Sequence, residues 1–104
     1  MLIQVTTKNF SDIIFNSKQT VLLSFLSSDK ETAKKQKDTL RQFALQNPHI
    51  LVANIDSEKE LSLDTMYKSS PVGIPSVKVF KDGRCIASED GILSQQELLQ
   101  FVSK

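Results

Sequence analysis

Residues 20–44 read TVLLSFLSSDKETAKKQKDTLRQFA. Val21 to Leu26 is an apolar run broken only by Ser24, the pattern of a strand covered on both faces, and it predicts the centre of a sheet. Ser28 and Glu31 stand three apart, as in a capping box where each side chain satisfies a free backbone donor of the other, so a helix starts there. Its inward face assembles from Ala33, Gln36, Leu40, Phe43 and Ala44, and Asn47-Pro48 closes it. A buried strand thus crosses a short polar loop into a helix, and the other elements are arranged around that unit.

Upstream, Leu2, Ile3 and Val5 suggest a short strand, and Lys8 to Ser17 carries Phe10, Ile13 and Ile14 at helical spacing with Thr6 or Thr7 as cap. Downstream, His49 to Ile55 is a second apolar strand, parallel to the first because a helix crosses between them. Ser57 and Glu60 form another capping box before Leu61, Leu63, Met66 and Tyr67, read as the apolar side of a helix that Ser69-Ser70-Pro71 ends. Val77 to Phe80 and Arg84 to Ser88 flank Asp82-Gly83, the signal of a tight antiparallel hairpin. Ser94 and Glu97 open a last helix, with Leu98, Leu99, Phe101 and Val102 on its apolar side. The order βαβαβαββα predicts an α/β fold, a central mixed sheet with helices on both faces.

The 104 residues, 39% hydrophobic, suit a single domain over 1–104. Thirteen basic side chains against 12 acidic ones leave no one-signed field, which argues against a general nucleic-acid or membrane binder. No apolar run approaches the roughly 20 residues that span a bilayer. The start lacks the basic and apolar blocks of a signal peptide, and a cytoplasmic monomer is the expectation. One cysteine and one histidine exclude an internal disulfide and a thiolate or multi-histidine metal site built from this chain alone, and no cofactor is expected.

Three segments together resemble the thioredoxin family. Val21-Leu22-Leu23-Ser24-Phe25-Leu26 is similar to its central strand V-L-V-D-F-W. Gly73-Ile74-Pro75-Ser76, followed by Val77 to Gly83, is close to its G-I-P-T and hairpin. Gly91-Ile92-Leu93-Ser94 is like the G-A-L-S before its last helix. Order and spacing match over nearly the whole chain, apart from a few extra residues between Asp56 and Pro75. The resemblance implies a thioredoxin-like fold and a cis Ile74–Pro75 bond.

The same alignment removes the family's reaction. Its tryptophan and C-G-P-C fall on Asp29 and then Lys30, Glu31, Thr32 and Ala33; its buried aspartate falls on Ser24, and its mid-helix proline on Asp38. A dithiol exchange needs an attacking and a resolving thiol within reach, and both are absent. The expected function is therefore a redox-inactive protein- or peptide-binding adaptor, its groove formed by Asp29, Lys30, Ile74, Pro75, Gly91 and Ile92. Lys34, Lys37 and Arg41, at spacings of three and four, form a basic docking flank or simply a solvated face.

The alternative is a thiol oxidoreductase or redox helper working through Cys85. That residue holds a position where the family has an aliphatic one, which predicts a small buried side chain; the competing reading is a reactive thiol helped by Arg84. His49 and the capping serines are read as structural.

Overall fold

The computed structural model describes residues 2–26, 31–60, 62–63 and 75–103. In chain order these give β1 (Leu2–Val5), a π-helical turn (Ser11–Phe15), β2 (Thr20–Leu26), α1 (Glu31–Gln46), β3 (Ile50–Asp56), β4 (Ser76–Lys81), β5 (Arg84–Asp90) and α2 (Gln95–Val102). The five strands form one sheet in the order β1-β3-β2-β4-β5. β1 and β2 both run parallel to β3, whereas β4 runs antiparallel to β2 and to β5. The sheet is mixed and β2 is its middle strand, as the apolar run at Val21 to Leu26 predicts, and the α/β architecture is the one that the resemblance implies.

The alternation of side chains along β2 divides the core in two. Leu22 and Leu26 point to one face with Val52, Val77 and Val79, and α1 and α2 cover it through Leu40, Phe43, Leu98 and Phe101. Val21, Leu23 and Phe25 point to the other, with Ala53, Ile55 and Phe80, beneath Phe10, Ile14 and Leu63. Each fully buried Leu or Phe contributes about 1.5–3 kcal/mol relative to exposure, so a strand buried on both faces is where most of that gain concentrates. The inward face of α1 consists of Ala33, Gln36, Leu40, Phe43 and Ala44, the five residues its periodicity selects.

Local signals set most of the ends. Asp82 and Gly83 both have positive φ, 52° and 77°, the conformation a two-residue hairpin needs to match the twist of its strands. Gly83 also lies against the first helical turn: a Cβ there would sit 3.2 Å from the Phe15 carbonyl oxygen. At α2, Ser94 Oγ accepts from the Glu97 N–H and the Glu97 carboxylate accepts from the Ser94 N–H, a complete capping box.

Four sequence expectations are corrected. The helix read over 8–17 is a π-helical turn at Ser11–Phe15, introduced by Asn9, whose side chain accepts from the Thr6 N–H and donates to the Gln4 carbonyl. Ser57 is not the cap after β3: Asp56 Oδ1 accepts from the N–H groups of Glu58 and Lys59, and the buried Ser57 hydroxyl has no partner. A carboxylate accepts such bonds more strongly than a hydroxyl, which moves the cap one residue upstream. Leu99 is 51% exposed, since an eight-residue helix lying on a sheet covers only one stripe. Cys85 is exposed rather than buried, because β5 is an edge strand and a bulge between Val79 and Phe80 displaces its register there. The Ser28 cap, the helix through Met66 and Tyr67, and the isomer of the Ile74–Pro75 bond lie outside the described residues.

No helix among the described residues is long and apolar enough to cross a membrane.

Candidate functional site

The start of α1 presents Glu31 and Thr32 to solvent and turns Ala33 inward, where it packs at 3% exposure among Leu22, Leu26 and other residues of the covered face. A methyl group therefore occupies the place where the resemblance puts the resolving thiol. It can neither attack a disulfide nor be resolved from one.

Behind that helix start, Ser24 is fully buried at the middle of β2. Its neighbour across β3 is Asn54, also fully buried, and Ser24 Oγ donates to Asn54 Oδ1 at 2.7 Å. Asn54 Nδ2 in turn donates to Gln4 Oε1 at 3.4 Å, carrying the polar chain across three strands to β1. Every member is neutral, so the position where the resemblance puts the family's buried aspartate holds a hydroxyl that neither takes up nor releases a proton near neutral pH. A carboxylate buried here without a partner would be held protonated by desolvation; the serine satisfies its hydrogen bonds without that penalty. Asn54 escaped the sequence reading, although a lone polar residue inside the apolar HILVANI run was the available signal.

On the far side of the helix start, the backbone N–H of Gly91 donates to the carbonyl of Pro75 at 2.7 Å. This bond ties the entry of β4 to the loop between β5 and α2. Gly91 has φ of 104°, in the region that favours glycine, and a Cβ there would meet nothing within 4 Å, so the requirement is conformational and not steric. Next to it Ile92 is 47% exposed, while Leu93 is buried and its N–H donates to Gln36 Oε1 of α1 at 3.1 Å. Gln95 Nε2 adds a 2.6 Å bond to the Thr39 carbonyl. The Gly91–Ser94 loop is thus pinned on one side to Pro75 and on the other to α1, with an apolar side chain left in solvent between them.

Of the predicted binding residues, Pro75, Gly91 and Ile92 come together in this way; Asp29, Lys30 and Ile74 lie outside the described residues. The basic flank divides. Lys34 and Arg41 are exposed, but Arg41 Nη1 is paired with Asp38 Oδ1 at 2.9 Å, and Lys37 is half-buried on the side toward β1 and β3. Cys85 is placed opposite Phe80 at the outer edge of the sheet, two strands from β2, and its Sγ lies 3.5 Å from the Ala87 carbonyl oxygen. His49 is exposed, its carbonyl accepting from Gln19 Nε2. Among the described residues no group of three or more His, Cys, Asp or Glu side chains could hold a metal ion.

Comparison with known proteins places this geometry. The family model described as thioredoxin matches residues 1–104. A thioredoxin from Chlamydia trachomatis serovar D is 26% identical over 100 residues, covering 96% of this chain and 94% of that protein. The solved structure of a mutant thioredoxin from Halobacterium salinarum NRC-1 superimposes with a TM-score of 0.85 at 19% identity, covering 98% of this chain and 88% of the other. At that identity the structural match speaks for fold alone.

Proposed function

The chain belongs to the thioredoxin family, and on that premise we propose that it is a redox-inactive binding or adaptor module that holds an extended protein or peptide segment without dithiol exchange. The observation that carries the reading is the pair of replacements at the centre: Ala33, buried, in place of a thiol, and Ser24, neutral and hydrogen-bonded to Asn54, in place of a carboxylate. A groove wall is proposed beside them. The Gly91 to Pro75 bond and the exposed Ile92 offer a rigid backbone and an apolar contact for a partner strand. Asp29, Lys30 and Ile74 complete the proposed groove, Pro75 following a cis bond, and the protein acts in the cytoplasm.

Affinity capture with the intact chain tests the reading. A partner held by the groove is retained by the parent chain and lost from Ile92→Asp and from Pro75→Thr; retention by both variants overturns groove binding.

A second reading is favoured by the exposure of Cys85, which leaves one accessible thiol for a mixed disulfide. Insulin reduction coupled to a thioredoxin reductase separates the two. The adaptor reading expects turnover at the level of a protein-free control; turnover well above it that Cys85→Ser abolishes would establish the thiol role.

A further inference from the structure

A recess of about 260 Å³ opens where β1 and β3 end, lined by Gln4, Thr6, Lys37, Asp56, Lys59 and Glu60. None of these belongs to the Pro75–Gly91 wall. Crevices outside the carboxyl ends of parallel strands are common ligand positions in open α/β sheets, and a volume just under the roughly 300 Å³ of drug-sized sites limits the ligand to a small molecule.

The hydrogen-bonding capacity of the recess is lopsided. Asp56 Oδ1 already accepts from the Glu58 and Lys59 N–H groups at 3.0 and 3.1 Å. Gln4 Oε1 accepts from Asn54, which leaves the Gln4 amide N–H groups as spare donors. Thr6 Oγ1 accepts from the Lys8 N–H at 3.2 Å, so its own proton is available. Lys37 is half-buried, yet among the described residues no carboxylate lies within ion-pair distance of its ammonium or of that of Lys59; the pair formed on α1 is Arg41 with Asp38. Two basic residues from separate elements, α1 and the segment after β3, thus line a space where neutral donors are also uncommitted, and the acidic Glu60 lines the same space.

We propose that this recess binds a small zwitterion of the amino-acid or dipeptide class. The ligand carboxylate is held by Lys37 and Lys59, with Gln4 and Thr6 as neutral donors, and the ligand ammonium is held by Glu60. Charge-assisted bonds of this kind are the strong ones, and both ends of the ligand are recognised. Because Gln4 also ends the Ser24–Asn54 chain, occupancy is sensed at Asn54.

Backbone amide NMR of the full chain, titrated in parallel with glycylglycine, acetate and ethylammonium, tests this. Glycylglycine should give saturable shifts at Gln4, Thr6, Asn54 and Lys59, acetate weaker ones at the same amides, and ethylammonium weaker still. Lys37→Met and Lys59→Met keep the aliphatic stem, and each should weaken glycylglycine binding about tenfold, the loss expected for one charge-assisted hydrogen bond, whereas Lys34→Met should not change it. Linear, non-saturating shifts, equal responses to all three probes, or a Lys37→Met titration that matches the parent would overturn the proposal.

Discussion

β2 and β5 are both seven-residue strands of the same sheet, yet Val21 to Leu26 are all buried in the first, while in the second only Ala87 is partly covered. The difference is one of neighbours. β2 has a strand on each side and packed side chains on each face; β5 has β4 on one side and solvent on the other. Its exposed row of Arg84, Glu89 and Asp90, with the bulge beside Phe80, is the way edge strands discourage pairing with other chains. The polar and reactive residues follow the same division. The strand that would need an ionisable group for the family's reaction carries Ser24, and the accessible thiol, Cys85, lies on the strand that contributes least to the core. An altered active-site segment and retention of the fold are therefore compatible, because the two depend on different positions.

The contrast is most severely tested by truncation. Leu22→Ala in β2, fully buried, should lower the unfolding free energy by about 2–5 kcal/mol in urea, and Ile86→Ala in β5, at 44% exposure, by less than about 0.5 kcal/mol. Equal losses would mean that β5 is covered in solution. Ser24→Ala leaves Asn54 Oδ1 buried without its donor and should cost about 1–3 kcal/mol, part of which a Ser24→Ala, Asn54→Val double variant should recover.

Beyond β5, local hydrogen bonds set the start of α2. Ser94→Ala removes the α2 cap at about 1 kcal/mol by the same urea measurement. The Ser94 N–H, and after it the Ser94 hydroxyl, hold the Glu97 carboxyl below its usual range. Its folded value is thus the lower one, so the contact stabilises above the ordinary glutamate pKa of about 4.3 and is lost as pH falls through the folded value. Urea midpoints across that window should decline less steeply in Glu97→Gln; an identical slope would remove Glu97 as the source. The smallest effect is expected at Cys85→Ser, within about 0.5 kcal/mol, together with alkylation of the native thiol that needs no denaturant. Protection of that thiol would place Cys85 in a covered site and erase the contrast with β2.

The elements legible in the sequence are those decided by short-range chemistry. The five inward residues of α1, the Asp82-Gly83 turn and the Ser94–Glu97 box each depend on residues a few positions apart, and each takes the expected form. Where two caps compete, as Asp56 and Ser57 do, spacing alone chose the wrong one, because it does not weigh a carboxylate against a hydroxyl. Cys85 was misread for a different reason: alternation along β5 says which side chains share a face, not whether anything covers that face, and coverage is set by elements distant in sequence. The candidate site shows the same limit. That Pro75, Gly91 and Ile92 lie together was legible through the family resemblance, whereas the Ser24–Asn54–Gln4 chain arises from a parallel register that joins residues 4, 24 and 54 and that no local pattern reports.

The pairing of β2 with β4, which sets Val21 opposite Phe80, joins two pieces that each hold together by nearer contacts: the β2-α1-β3 crossover and the β4-β5 hairpin. Closing so long a stretch of chain is entropically expensive until both pieces are formed. The transition state for folding should therefore lie at that seam, with high φ-values at Leu22 and Val79 and at the turn of the already formed hairpin. The strand at the middle of the sheet would then be enclosed in the step that limits the rate of folding.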